Sequence, residues 1–236
     1  MKQINLLVLA GGFGKRLRSA ISEVPKPLAP VKGQPYLHYQ IENWVDQGVT
    51  QLAFLLHYKA DSIEAFLKAH QKQLENCKLL SLKESQPLGT GGAVAFAVQQ
   101  FGLAGSFLVA NADTWLSSGV QQVFDAEIPA IATVKVENSE RYGSVKIEKN
   151  KIVAFEEKQN SSGPGLINAG LYHLHANLFR DWDGKPFSLE RELFPKLASL
   201  GQLKSVFLET DFIDMGIPDD YFRICRWIES EKKGVL

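Results

Sequence analysis

A glycine-rich segment with basic side chains follows the first apolar run of the chain. The run extends from Ile4 to Ala10, and the next residues read Gly-Gly-Phe-Gly-Lys-Arg-Leu-Arg, ending at Arg18. Glycines allow backbone N–H groups to approach an anion closely, and the basic side chains add positive charge. We therefore predict a loop that binds a polyphosphate, in preference to a solvated turn.

Two known phosphate-binding patterns do not fit this loop. A Walker loop requires Ser or Thr directly after Gly-Lys, and this chain has Arg16 there. A dinucleotide-binding fingerprint requires a third glycine where this chain has Leu17. The residues therefore support neither an ordinary P-loop nor a dehydrogenase.

Lys26 lies between two prolines in the sequence Pro-Lys-Pro-Leu. Proline rings stiffen the backbone, so the lysine loses less conformational entropy when it binds an anion. A surface turn would explain the same residues. The position shortly after the glycine-rich loop favours a second cation for the same ligand.

A second group of small residues occupies positions 84–93, where the chain reads Glu-Ser-Gln-Pro-Leu-Gly-Thr-Gly-Gly-Ala. We expect this segment to lead into a helix from about residue 93 to 100, so that its backbone packs against a flat ligand. Glu84 or Gln86 could then hydrogen-bond the edge of a base. The alternative is a plain loop in which Thr90 caps the helix.

Asp113 and Asp214 each follow a short apolar run that predicts a buried strand. One or two carboxylates, together with substrate phosphates, commonly hold Mg²⁺. Only the fold could bring these two together, and each alone is also a common turn residue. His173 and His175 share a strand face, but without a third ligand nearby we do not expect them to bind a metal.

Glu157 and Lys158 lie at the end of another predicted strand. A carboxylate suits sugar hydroxyls and an ammonium group suits a phosphate, so the pair could bind a phosphorylated sugar. A solvated, charged hairpin is the other interpretation.

These segments require a framework that gathers strand ends. Over the first half of the chain, short apolar runs alternate with helical patterns, which predicts an α/β fold with a mostly parallel sheet. Ligands bind beside the carboxyl ends of such strands, where segments 11–18, 84–92 and 111–113 would lie. In the second half, strand-like runs joined by short turns predict an antiparallel addition. No linker separates the halves, so we expect one domain, 1–236.

The composition is that of an ordinary globular protein. Of 236 residues, 45% are hydrophobic and 22% are charged, and the formal net charge is zero, which argues against nucleic acid as a partner. The two cysteines cannot form a disulfide framework, so we expect a reduced, cytoplasmic protein. The first apolar run is too short and lacks a cleavage site for a signal peptide, and no stretch approaches the roughly 20 apolar residues of a membrane span.

Taken in order, these segments resemble the sugar-1-phosphate nucleotidyltransferase family over nearly the whole chain. Further motifs support the likeness, namely Asn111-Ala112-Asp113, Asn168-Ala169-Gly170, and Phe212 to Pro218. Within the family, Tyr142-Gly143 and segments 163–170 and 187–190 are most similar to the single-domain heptose-1-phosphate guanylyltransferases.

The resemblance implies a Rossmann-like three-layer fold with a mixed, mostly parallel central sheet and an antiparallel acceptor-side extension. Residues to about 125 would form the nucleotide-binding half and those from about 126 the sugar-phosphate half. Arg16 and Lys26 would be catalytic, and Asp113 and Asp214 would bind Mg²⁺. The implied nucleotide contacts are Ala10, Gly11, Gly12, Gly14, Lys15, Glu84, Pro87, Gly89 and Thr90. The implied sugar-phosphate contacts are Gly143, Glu157, Lys158, Asn168 and Gly170.

The implied reaction transfers a nucleotidyl group from an NTP, with GTP preferred, to D-glycero-D-manno-heptose 1-phosphate and releases pyrophosphate. The product would supply a bacterial envelope glycan such as lipopolysaccharide or capsule, and the enzyme would be a monomer or homodimer without a membrane partner. Gln86 stands where the family commonly has an acidic residue, which leaves the base open. Alternatives are uridylyl transfer to N-acetylmuramic acid, N-acetylhexosamine or hexose 1-phosphate, and guanylyl transfer to mannose 1-phosphate. A glycosyltransferase and a non-catalytic nucleotide sensor are the more distant interpretations.

Overall fold

A computed structural model describes residues 4–14, 24–74, 76–142, 144–156 and 163–231. Five predicted site residues lie outside the described residues, and their roles stay predictions: Lys15, Arg16, Gly143, Glu157 and Lys158.

Strands and helices alternate through the first half, as the hydrophobic pattern predicts. The strands are β1 (Ile4–Leu9), β2 (Pro30–Val31), β3 (Gln34–Pro35), β4 (Val49–Leu56), β5 (Lys78–Lys83), β6 (Ser106–Asn111), β7 (Thr114–Leu116), β8 (Ala130–Val136), β9 (Ser144–Glu148), β10 (Lys151–Glu156), β11 (Gly165–His175), β12 (Lys204–Phe207) and β13 (Phe212–Asp214). The α-helices are α1 (Tyr36–Asp46), α2 (Ala60–His70), α3 (Gly89–Gln100), α4 (Val120–Phe124), α5 (Phe194–Ser199) and α6 (Pro218–Glu231). A π-helical turn, Leu189–Leu193, leads directly into α5.

Nine of these strands form one sheet in the order β5-β4-β1-β6-β11-β8-β12-β10-β9. Within this sheet, the four strands from the first half, β1, β4, β5 and β6, pair in parallel. The long strand β11 is antiparallel to both β6 and β8, and β10 is antiparallel to β9. The predicted mixed sheet, parallel in the first half and extended by antiparallel strands, is confirmed.

Both faces of the central strands are buried, which explains their continuous apolar runs. Leu6 and Val8 of β1 belong to an apolar cluster with residues of α1 and α2. Leu7, between them, points to the opposite face and belongs to a cluster with residues of α3 and α5. Because successive strand residues alternate between faces, this arrangement gives the three layers expected. Among the described residues, no helix is both long enough and apolar enough to cross a membrane.

Helix α3 begins at Gly89, four positions earlier than the sequence predicts, so the glycines form its first turn. Without a Cβ they contribute little to helix propensity. The turn is held from outside, because the N–H groups of Gly91 and Gly92 donate to the carbonyl oxygen of Phe187 at 2.9 and 3.3 Å. Tertiary contact therefore overrides the local preference.

Candidate active site

A small two-stranded sheet brings the two predicted metal ligands together. Strands β7 and β13 pair antiparallel, with Asp214 opposite Thr114. The N–H of Met215 also donates to the carbonyl oxygen of Asp113 at 2.9 Å. Asp113 and Asp214, which are far apart in the sequence, therefore line the same cavity.

Lys26 reaches this carboxylate pair from the Pro-Lys-Pro-Leu segment. The segment forms a single 3₁₀ turn, Lys26–Leu28, in which Pro27 is buried and fixes the backbone. The Lys26 Nζ atom donates to Asp113 Oδ2 at 2.5 Å, and the lysine side chain is only 13% exposed. The stiff turn thus holds a cation in the site, as the two prolines predict.

Burial and the charges around Asp214 shift the pKa of this carboxyl group. Burial raises the pKa of Asp214 to about 6, and the negative charge of Asp113 is the second cause. The charges of Lys26 and Arg141 act in the opposite direction and lower this pKa. A positive ion between the two carboxylates would remove their repulsion and favour the ionised form of Asp214.

These residues fit a magnesium ion bound jointly by protein and substrate. Within the described ranges, no group of three or more His, Cys, Asp or Glu side chains forms a self-sufficient metal site. Mg²⁺ is commonly bound through one or two carboxylates plus substrate phosphates. Two aspartates beside a large cavity are a donor set of that kind.

The described part of the glycine-rich loop lies against the end of β4. Ala10 is buried and its N–H donates to the carbonyl oxygen of Leu55 at 3.0 Å. A Cβ on Gly11 would lie 3.2 Å from the backbone nitrogen of His57, whereas a Cβ on Gly12 would have no atom within 4 Å. Gly11 therefore permits close packing, while the backbone at Gly12 is open to a ligand.

The loop ends close to Lys26. Gly14 has a φ of +58°, a left-handed conformation that favours glycine, and a Cβ there would lie 3.4 Å from the Lys26 Cβ. The predicted phosphate loop and the predicted catalytic lysine are thus neighbours, although the loop's own basic residues at 15 and 16 are not described.

Glu84, a predicted nucleotide contact, is buried and has a hydrogen-bond partner within the protein. It is only 7% exposed, and its Oε2 atom accepts a hydrogen bond from the N–H of Leu88 at 3.0 Å. Burial raises its pKa, and the bond from Leu88 counteracts this rise. Glu84 therefore shapes the turn that contains the exposed Pro87 and Gly89, and its contact with a base stays a prediction.

Phe187 packs closely against the second glycine group. A Cβ on Gly91 would lie 2.1 Å from the Phe187 ring, and one on Gly89 would lie 2.5 Å from the Phe187 carbonyl oxygen. These glycines admit a segment of the chain's other half, and their expected packing against a flat ligand stays a prediction. Sequence spacing contains no signal for this partner, because it lies about a hundred positions away.

Thr90 is also engaged by that second half. Its hydroxyl donates to Glu190 Oε2 at 2.6 Å and accepts from the N–H of Leu189 at 2.9 Å. The structure thus gives Thr90 two internal partners, and its predicted contact with a nucleotide stays a prediction.

A cavity of about 1110 Å³ extends from the two aspartates into the second half of the chain. Asn168 and Gly170, both predicted to shape a sugar pocket, line it. Gly170 has a φ of +72°, and a Cβ there would lie 2.8 Å from Asn111 Nδ2, so the wall of the cavity requires a glycine at this position. The Oδ1 of Asn168 accepts the N–H of Gly170 at 2.9 Å, which fixes the amide.

Glu190, which we did not assign to the site from the sequence, is the acceptor at the centre of a half-buried hydrogen-bond network in this wall. Besides Thr90, it accepts from the hydroxyl of Ser188 at 2.8 Å and from that of Tyr172 at 3.4 Å. The Tyr172 hydroxyl in turn accepts from Asn168 Nδ2 at 3.1 Å. The network connects the first turn of α3 with the side chains that line the cavity.

Arg141 is a second lining residue that we did not assign. It lies in the turn between β8 and β9, and its Nη2 donates to the carboxylate of Asp220 in the first turn of α6. The arginine is a cation on the cavity wall, and only the fold pairs it with its partner.

The three-layer fold, the carboxylate pair and the loop at the end of β1 define a nucleotidyl-transferring enzyme. A family model described as nucleotidyl transferase matches residues 5–231, so the chain belongs to this family.

Individual relatives carry more specific names. The chain is 32% identical over 221 residues to a D-glycero-alpha-D-manno-heptose 1-phosphate guanylyltransferase from Aneurinibacillus thermoaerophilus, covering 91% of this chain and 94% of that protein. It is 33% identical to a mannose-1-phosphate guanyltransferase from Aspergillus fumigatus, of which it spans 65%. Among solved structures, HddC from Yersinia pseudotuberculosis complexed with GMP-PN is 33% identical with a TM-score of 0.83, covering 96% of this chain and 100% of that one.

Proposed function

We propose that this protein transfers a guanylyl group from GTP to D-glycero-D-manno-heptose 1-phosphate and releases pyrophosphate. The observation that carries the proposal is the group formed by Lys26, Asp113 and Asp214 at the end of the large cavity. It joins a cation and two carboxylates with space for a phosphorylated acceptor.

In-line attack of the sugar phosphate oxygen on the α-phosphorus requires positioning and charge neutralisation more than covalent chemistry by the protein. Lys26 would leave Asp113 and move its ammonium group to a substrate phosphate. The backbone at Gly12, which is open on one side, would follow the triphosphate, with Arg16 as its second cation. Asn168 and Gly170 would orient the sugar, and Glu157 and Lys158 would bind its hydroxyls and phosphate.

Asp113 and Asp214 would hold Mg²⁺ in this scheme. Bound there, the ion would neutralise phosphate charge and orient the reacting phosphates. Burial is the first cause of the raised pKa of Asp214, and repulsion by Asp113 is the second. The repulsion supports this assignment because a cation would relieve it.

The relatives' names favour the guanylyl group and the heptose. The relative that this chain matches over 94% of its length is named for heptose 1-phosphate, and a similar structure was solved with GMP-PN. Mannose 1-phosphate is the second candidate acceptor, since the mannose-1-phosphate guanyltransferase from Aspergillus fumigatus shares 33% identity over 96% of this chain.

The proposal is tested by pyrophosphate release in the presence of Mg²⁺. Each of ATP, CTP, GTP, UTP and dTTP is combined with heptose, mannose, glucose, N-acetylglucosamine and N-acetylmuramic acid 1-phosphates. We expect the highest kcat/KM for GTP with the manno-heptose. Turnover confined to UTP or dTTP would retain the reaction and overturn the guanylyl group, and no turnover by a folded, NTP-binding protein would overturn the reaction.

A further inference from the structure

We infer that Arg141 binds the phosphate of the acceptor sugar and that Asp220 positions the guanidinium group for it. This inference rests on the proposed function. It assigns a substrate contact to an arginine in the turn between β8 and β9.

Two contacts hold the Arg141 side chain, and a backbone hydrogen bond closes the turn that contains it. The turn is closed by the N–H of Tyr142, which donates to the carbonyl oxygen of Ser139 at 3.0 Å. The guanidinium lies 5.4 Å from the centroid of the Tyr142 ring and is bonded to Asp220. A cation held in this way loses little entropy when it binds an anion.

The ion pair is asymmetric in a way that leaves the arginine available. The Asp220 side chain is 8% exposed, whereas that of Arg141 is 41% exposed and lines the cavity. Asp220 bonds Nη2, and a guanidinium group carries five N–H donors. The remaining donors can serve a second, bidentate partner, for which arginine is well suited when that partner is a phosphate.

The charges of the cavity indicate which part of the substrate lies here. Asp113, Asp214 and Glu190 line the cavity together with Arg141 and Arg191, so the described lining has more acidic than basic side chains. A sugar phosphate placed beside such a lining needs cations close to its phosphate. Arg141 lines the same cavity as Asp113 and Asp214, so a phosphate that meets these carboxylates shares the cavity with the guanidinium group.

A purely structural role, the neutralisation of buried Asp220, makes a different prediction. The single variant R141M does not separate the two roles, because it leaves Asp220 buried without a partner and destabilises the fold. The double variant R141M/D220N removes that unpaired charge. It should therefore fold like the wild type under either interpretation, as thermal unfolding will verify.

The deciding measurement is the initial rate of pyrophosphate release by R141M/D220N. We expect the KM for the sugar 1-phosphate to rise by about ten- to a hundredfold, as for the loss of hydrogen bonds to a charged group, with the KM for GTP changed by less than about twofold. Calorimetric titration of the sugar 1-phosphate, with a non-hydrolysable GTP analogue present, should show the same loss of affinity.

Two further variants sharpen the test. D220N retains the arginine but replaces its charged partner with a neutral amide, and it should raise the KM for the sugar 1-phosphate several-fold while leaving that for GTP unchanged. K146M is the control, because Lys146 is an exposed cation of β9 that pairs only with Glu148 at 3.4 Å among the described residues. It should behave as the wild type.

The outcomes distinguish this inference from the proposed function. A folded R141M/D220N protein with wild-type KM values would overturn the role of Arg141 and leave the reaction intact. An equal rise of both KM values would contradict a contact with the acceptor. A wild-type protein without turnover on any sugar 1-phosphate would overturn the reaction and this inference with it.

Discussion

Replacement of Glu190 by alanine should destabilise the protein more than any other single change in the segment that faces α3. Glu190 is half-buried and accepts hydrogen bonds from Thr90 at 2.6 Å, from Ser188 at 2.8 Å and, more weakly, from Tyr172 at 3.4 Å. In the alanine variant, these three hydroxyls lose their common acceptor.

The magnitude follows from the two short bonds. Hydrogen bonds to a charged group contribute about 1.5–3 kcal/mol each, so the two sum to about 3–6 kcal/mol. Thr90 and Ser188 are only partly buried, and water will replace part of what they lose. We therefore expect a decrease of about 2–3 kcal/mol in the free energy of unfolding, or roughly 4–12 °C in Tm for a chain of this size.

The assay is urea unfolding followed by circular dichroism, with Glu192→Ala as the matched control. Glu192 is exposed and lies two positions away, and from the described residues it accepts a single bond, that of the Ser188 N–H at 2.8 Å. Its loss should cost about 0.5–1 kcal/mol. Glu190→Gln, whose amide oxygen still accepts a hydrogen bond, should lie between the two. If Glu190→Ala and Glu192→Ala were equally stable, the hydrogen bonds to Glu190 would not contribute the stability assigned to them.

Three other outcomes follow from the structure. Gly89→Ala places a Cβ on a left-handed backbone, 2.5 Å from the Phe187 carbonyl oxygen. Thermal unfolding should show that the free energy of unfolding falls by about 2–4 kcal/mol. The control Gly12→Ala, whose Cβ would have no atom within 4 Å, should unfold like the wild type. Burial lowers the pKa of His70, and a neighbouring histidine lowers it further. Below about pH 6.5 the unfolded state therefore binds more protons than the folded state, so chemical denaturation should show the free energy of unfolding falling as the pH drops below that value. A His70→Gln variant with the same pH dependence would contradict this. Asp113→Asn should reduce turnover on the order of a thousandfold at saturating Mg²⁺; near-normal turnover would exclude Asp113 as a metal ligand.

The local pattern of the sequence determined the framework and several positions within the site. Continuous apolar runs such as Ile4–Leu9 indicate strands buried on both faces, because a strand must lose water on each face that it covers. The same patterns place Asp113 and the loop at 11–14 at strand ends. Two prolines around Lys26 restrict its backbone without any distant contact, which is why a cation at that point could be anticipated.

The tertiary structure decided which of these residues meet and which segment packs against the glycines at 89–92. Asp214 reaches Asp113 only because β13 pairs with β7, and Arg141 finds Asp220 only because α6 packs beside the turn between β8 and β9. The first turn of α3 is likewise completed by Phe187 from the other half of the chain. Such contacts depend on strand register and on the packing of distant segments, and the spacing of neighbouring residues determines neither of them.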